Sequence, residues 1–252
     1  MEDERGPSLI DAIIEFSEQD SPIDFVVIAQ NWDLFLTGIG YTILIVAVSL
    51  VVGGLLSLPL AVIRAYQVPV LNQITWAYVY VFRGTPLLVQ LYLIYYGLGQ
   101  FEAVRESILW PVLRDALWCT LISFVLNTAA YTTEIFRGAI EAIPFGEVEA
   151  AKACGMSKWQ RTTRIVLPNA LRRALPAYSN EVIFMLHGSV VASTVTIVDI
   201  LGAGRTLNAK HYLAYEGFVA AAVLYMILVY FITIGFRFWE KHWHAHLRPR
   251  ET

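Results

Sequence analysis

Charge is scarce in this 252-residue sequence: Asp, Glu, Lys and Arg make up 15% of it, against 57% hydrophobic residues. A soluble domain carries about 25% charged and about 45–50% apolar residues. The deficit excludes an ordinary soluble globule and points to an integral membrane protein. The net charge of −3 argues against a nucleic-acid partner. Cysteine is nearly absent. Cys119 and Cys154 support neither a disulfide framework nor zinc-ligand spacing, and each reads as a small packing residue. There is no GxxxxGK[ST], so ATP is not bound through that motif, and there is no HExxH, nucleophile elbow or paired acid–base cluster. No catalytic or metal-ligating set, and no cofactor held by this chain, is expected. The N-terminus lacks a basic region before an apolar one, so no cleavable signal peptide is expected.

What the sequence does have is long apolar runs. A membrane-crossing helix needs about 20 apolar residues, and five segments qualify: 34–63, 70–99, 116–140, 165–194 and 218–239. The first has a soft spot at Gly53-Gly54 and Pro59. The second is broken by Arg83-Gly84-Thr85-Pro86, and the fourth carries Pro168 and Pro176 near its start. The expected fold class is all-α and polytopic, with five spans. Residues 1–33 form an acidic lead holding nine of the 21 acidic residues, opposed only by Arg5. Ser8 to Asp11 has capping-box spacing, and Leu9, Ile10, Ile13, Ile14 and Phe16 share a rough helical face. That pattern suits a short amphipathic helix on the membrane surface as well as a disordered tail. The transmembrane domain is 34–240, and 241–252 is a basic tail.

Lys and Arg set the orientation, because cytoplasmic loops carry their excess. With the N-terminus outside, Arg64, then Lys152, Lys158, Arg161 and Arg164, then Lys241, Arg248 and Arg250 fall inside. Arg105, Arg114, Arg205 and Lys210 fall outside with acidic neighbours. The opposite topology puts the densest basic cluster outside. The N-terminus is expected outside and the C-terminus in the cytoplasm.

The inner loop reads EAAKACGMSKWQRTTRIVLP, from Glu149 to Pro168. Residues 145–153 are good helix formers. Glu147 and Glu149 follow Pro144 where negative charge suits the helix dipole, and Gly155 falls where a helix ends. So short a helix needs a partner surface. The spacing of Glu149, Ala150, Ala151, Gly155, Leu167 and Pro168 resembles the EAA loop of permease subunits of bacterial ABC importers. FRGTPLLVQL (82–91), AAYTTEIFRGAI (129–140), LPAYSNEVIFML (175–186) and AAVLYMILVYFI (221–232) are similar to the polar amino-acid branch, most of all to the M-type subunits of histidine/lysine/arginine/ornithine importers. The resemblance covers roughly residues 35–245. It implies a type I importer permease fold and a coupling helix at about 145–155. It also implies four partners: a second permease, two cytoplasmic ATPase subunits holding ATP and Mg, and a periplasmic amino-acid-binding protein.

Charges inside a membrane are costly and call for a reason. At about 1.5 Å per residue, Arg83 and Glu181 each fall about 18–20 Å into their spans, near the midplane. One reading is an ion pair between helices. The other is a substrate site, in which a guanidinium grips an amino acid's carboxylate and Glu181 holds a cationic group. Asn180, Ser179 and Thr85 stand beside them. His187 is read as a packed helical residue, and Glu134–Arg137 as a local pair at i,i+3 spacing. Asp199 and Arg205 are assigned to an outer loop made mobile by Gly202 and Gly204, with an outer-gate role open to them. A stand-alone channel or secondary transporter is the alternative class. Secondary transporters are often built from internal repeats, and no convincing repeat is present. Opines or neutral polar amino acids are the alternative substrates.

Overall fold

The computed structural model describes residues 24–243, so the surface helix suggested for residues 8–16 and most of the basic tail lie outside the described residues. Every regular element among them is helical. In chain order we number α1 (Phe25–Gln30), α2 (Trp32–Ala65), α3 (Leu71–Gly84), α4 (Leu87–Tyr92), α5 (Glu102–Arg105), α6 (Trp110–Leu113), α7 (Ala116–Glu141), α8 (Phe145–Ala153), α9 (Lys158–Arg161), α10 (Leu167–Gly188), α11 (Ile200–His211) and α12 (Glu216–Trp243).

Only α2, with 34 residues, and α12, with 28, are each long and apolar enough to cross a membrane alone. α7 has 26 residues; its Thr, Ser and Asn side chains lower its apolarity. The second expected span is not one rod. The chain turns by 106° between Leu71–Gly84 and Leu87–Gln100. Pro86 has no N–H to continue the ladder, and it disfavours helical backbone at Thr85. The fourth continues into a 3₁₀ stretch, Ser189–Val195, and is interrupted before α11 begins at Ile200. Counting each broken pair as one span gives four crossing segments, with α7 as the remaining long helix.

The helices group into two compact units. The smaller comprises residues up to Leu44 together with Ser189–Leu228. Its core is Phe35, Ile200, Ala203, Leu207, Ala221 and Leu224. Two of its helices meet through glycines: a Cβ at Gly217 would land on the carbonyl oxygen of Gly204, and one at Gly204 on that of Gly217. Such close approach is how small residues drive helix contact in a membrane. The backbone N–H of Gly217 donates to Asn208 Oδ1 at 2.7 Å.

This corrects the outer-loop reading of Asp199 and Arg205. Asp199 caps α11, its Oδ1 accepting from Gly202 N–H at 2.7 Å, and it is fully buried. Its Oδ2 accepts from the Tyr225 hydroxyl at 3.2 Å. Gly202 and Gly204 lie inside a packed helix, where they admit close neighbours instead of supplying mobility. The local signal was present: Asp followed by an apolar run is a helix start. Arg205 is exposed and donates to Ser193 Oγ at 3.4 Å.

The larger unit comprises Ile45–Gly188 and the chain from Val229. Its core gathers Ala61, Phe136, Ala139, Ile140, Ile143, Val166, Ala170 and Ala174. The soft spot at Gly53-Gly54 is not one. α2 runs through it and through Pro59 unbroken, and a Cβ at Gly53 would sit 3.0 Å from Thr128 of α7. Gly53 thus marks a close helix crossing. Pro168 leaves the carbonyl four residues earlier without its helical donor, and the chain widens there into a π-turn, Thr162–Val166. From Ser157 to Gly188 the path is otherwise helical.

Candidate functional site

Two features of the larger unit bear on function, a short uncovered helix and a charged cavity. The short helix is α8. It follows Pro144, carries Glu147 in its first turn and ends in a Schellman motif: Gly155 N–H donates to Lys152 O at 2.9 Å and Met156 N–H to Ala151 O at 3.2 Å. Gly155 has φ of +74°, the left-handed region that favours glycine, and open space around it. A capping box at Ser157 and Gln160 then starts α9. Val148 and Ala151 turn inward against the core, and Asn169 Nδ2 donates to Glu147 Oε2 at 2.9 Å, pinning α8 to the start of α10. The Tyr66 and Thr162 hydroxyls meet at 2.9 Å close by. Glu149, Ala150 and Gly155 remain on the surface. Phe145 and Trp159 flank them, 71% and 75% exposed. Leu167 is half-buried against the core and Pro168 is exposed. The short helix thus has one face held by the bundle and another, rich in small and aromatic residues, left uncovered.

The cavity lies beside the break at Pro86. Gln90 closes that turn: its Nε2 donates to Phe82 O at 2.7 Å, Thr85 O at 3.0 Å and Thr85 Oγ1 at 2.9 Å. Asn127 on α7 donates to Gln90 Oε1 at 3.0 Å. Carbonyls freed by a broken helix must find donors inside a membrane; the Gln90 amide supplies them, and Asn127 holds that amide in place. Neither was singled out from sequence. The available signal was a Gln four residues after Pro86 and a lone Asn in an apolar run.

Arg83, the last basic residue before the break, lies 5.2 Å from the ring centre of Tyr131. A cavity of about 410 Å³ is lined by Arg64, Trp76, Tyr80, Arg83, Tyr131 and Glu134, among others. At one wall Glu134 binds Arg64 at 3.3 Å and Arg137 at 2.7 Å, and Arg137 also binds Glu141 at 2.7 Å. The expected local pair is therefore one link of a four-residue chain that ties the end of α2 to α7.

Glu181 on α10 is buried at 6% exposure. It lies within electrostatic reach of Arg83, yet among the described residues no ion pair joins the two. The direct interhelical pair is not formed. Thr85 donates to Val81 O at 2.8 Å, and Ser179 donates to Pro176 O at 2.7 Å, one turn back in α10. Both hydroxyls are used locally. Asn180 is exposed, as is His187. None of Glu181, Asn180 or Ser179 lines the Arg83 cavity.

A helical bundle with long apolar helices, a short uncovered helix pinned to it and charged residues in its apolar segments fits a membrane permease. Residues 53–241 match the family described as the binding-protein-dependent transport system inner membrane component, and the chain belongs to it. It is 45% identical over 217 residues to the histidine/lysine/arginine/ornithine transport system permease protein HisM of Escherichia coli K12, covering 86% of this chain and 91% of that one. It is 44% identical over 211 residues to the octopine transport system permease protein OccM of Rhizobium radiobacter, covering 84% and 86%. Among solved structures, an amino acid ABC transporter crystallised with histidines is similar, with TM-score 0.78 and 28% identity over 88% of this chain and all of that one. The inward-facing MetNI methionine ABC transporter shares the fold, with TM-score 0.68 and 20% identity. The all-α type I permease fold is therefore this chain's fold, and it is an inner-membrane component.

Proposed function

We propose that this chain is one permease half of an ATP-driven importer that carries cationic polar amino acids, of the histidine, arginine, lysine and ornithine kind, from periplasm to cytoplasm. The observation that carries this reading is the docking helix: Val148, Ala151 and Glu147 fix it to the bundle while Glu149, Ala150 and Gly155 face outward. The partners are a second homologous permease, two cytoplasmic ATPase subunits and a periplasmic amino-acid-binding protein. ATP and Mg, bound by the ATPases, supply the energy. Closure of the ATPases moves α8 as a rigid connector. The Glu147–Asn169 link passes that motion to α10, whose continuous helix carries Glu181. Arg83 and Glu181, with Asn180 beside them, are the residues assigned to the substrate's carboxylate and cationic groups. The kinship with OccM keeps opines as the second substrate reading.

The complex rebuilt in proteoliposomes, with binding protein, is expected to take up labelled arginine only with ATP. Uptake by this chain alone without ATP points to the stand-alone transporter. In the same assay Gly155→Asp places a charge at the end of the docking helix, where no other atom of this chain lies within 4 Å of a built Cβ. Normal membrane levels with lost uptake and weaker ATPase retention are expected. Unimpaired uptake by this variant removes the docking role.

The orientation has its own check. With Cys119 and Cys154 replaced, an impermeant thiol reagent added outside is expected to label cysteine at Glu106 or Lys210 but not at Lys158. Outside labelling at Lys158 reverses the topology.

A further inference from the structure

Two cavities of the larger unit take no part in the site above. One, of about 580 Å³, is lined by Pro168, Leu171, Arg172, His242 and Trp243. The other, of about 350 Å³, runs along an apolar groove that includes Leu55, Leu58, Leu175 and Trp239. Both are lined by Leu171 and Trp243, so the two adjoin there. Taken together they offer an apolar groove with a basic pocket beside its end.

Among the described residues no acidic side chain lines the basic end. Arg173, next to Arg172, and Lys241, next to His242, are exposed as well. The aromatic rim fits a membrane interface: Trp239 and Trp243 stack at 6.2 Å and 16°, and Phe236 meets Trp239 edge-on at 6.1 Å. Tryptophan concentrates at the level of lipid headgroups, and basic pockets between helices on the cytoplasmic side hold anionic headgroups. The walls come from α2, α10 and α12, the two helices most apolar by themselves and the helix that bears Pro168.

We propose that these adjoining cavities bind an anionic phospholipid. Its phosphate sits between Arg172 and His242, and one acyl chain lies in the groove beside Leu55, Leu175 and Trp239. A lipid held there braces the start of α10 against the end of α12, next to the docking helix.

The test uses the complete transporter in nanodiscs of phosphatidylcholine with phosphatidylglycerol, followed by native mass spectrometry of the released complex. The wild type is expected to retain phosphatidylglycerol in preference to phosphatidylcholine. Arg172→Gln with His242→Gln is expected to lower that retention by about fivefold or more, through the lost guanidinium charge and the lost imidazole donor. Leu55→Trp fills the groove from an exposed position and is expected to lower retention of both lipids. Inorganic phosphate without lipid is expected to leave the thermal stability of the delipidated complex unchanged, whereas phosphatidylglycerol raises it. Equal phosphatidylglycerol retention by the double variant and the wild type overturns the proposal. So does disulfide trapping of a cysteine at Leu55 to the second permease, because a protein then fills the groove.

Discussion

A Glu181→Gln transporter is expected to assemble, to keep its basal ATPase rate, and to lose uptake of arginine and lysine. The expectation follows from what surrounds the carboxylate. Glu181 is buried at 6% exposure, and among the described residues no side chain bonds to it. The nearest candidate partner, Arg83, lies over the Tyr131 ring instead. Removing the charge therefore breaks no ion pair of the fold, and the amide keeps the volume. What is lost is the acceptor for a cationic group of the substrate. A hydrogen bond to a charged group contributes about 1.5–3 kcal/mol, so transport should fall about ten- to hundredfold. The opposite pattern has a distinct signature. If Glu181 serves only to offset Arg83, the variant is poorly produced, and adding Arg83→Gln restores it. Unchanged arginine and lysine uptake by well-produced Glu181→Gln removes this residue from the site.

Gly217→Val is expected to abolish accumulation of folded protein. Even a methyl group there falls onto the Gly204 carbonyl and within 2.6 Å of Asn208 Oδ1, which accepts the Gly217 N–H. The obstacle is backbone on the facing helix, so no rotamer change relieves it. Overpacking costs about 1–3 kcal/mol and occasionally more, and forced separation also breaks the Asn208 hydrogen bond, leaving a buried amide to satisfy at about 1–3 kcal/mol. Gly235→Val is the control: it sits in the same helix α12 with no atom within 4 Å of its built Cβ. The measurement is thermal stability of the detergent-solubilised complex together with membrane levels. Wild-type stability for Gly217→Val contradicts the close crossing.

What was legible beforehand was whatever the local chain dictates. The shortage of charge and the apolar runs specify a helical membrane protein, because unpaired backbone amides cannot be left in lipid. Pro86 announces a break, since it removes a donor at a known position. Gly155 announces a helix end, and the structure places it in the left-handed region there. The short helix at 145–153 was legible too, because its small helix-forming residues and its glycine stop lie within about ten positions.

What sequence could not determine depends on which distant residues meet. Glycines 53, 202 and 204 look alike as text and were read as flexibility. Gly53 and Gly204 instead abut a facing helix, at Thr128 and Gly217, while Gly202 abuts Ile197 and Asp199 in the turn that starts its own helix. Glycine permits both mobility and close approach, and only the facing helix decides between them. Arg83 and Glu181 share a depth, yet depth along an axis says nothing about rotation around it, so their pairing was undetermined until Tyr131 was seen beneath the guanidinium. The polar clamp of Gln90 and Asn127 joins α4 to α7 across a long connection. Local periodicity fixes where a helix starts, stops and breaks. Which carbonyl an amide must satisfy, and which charge is left for a substrate, are properties of the packed bundle.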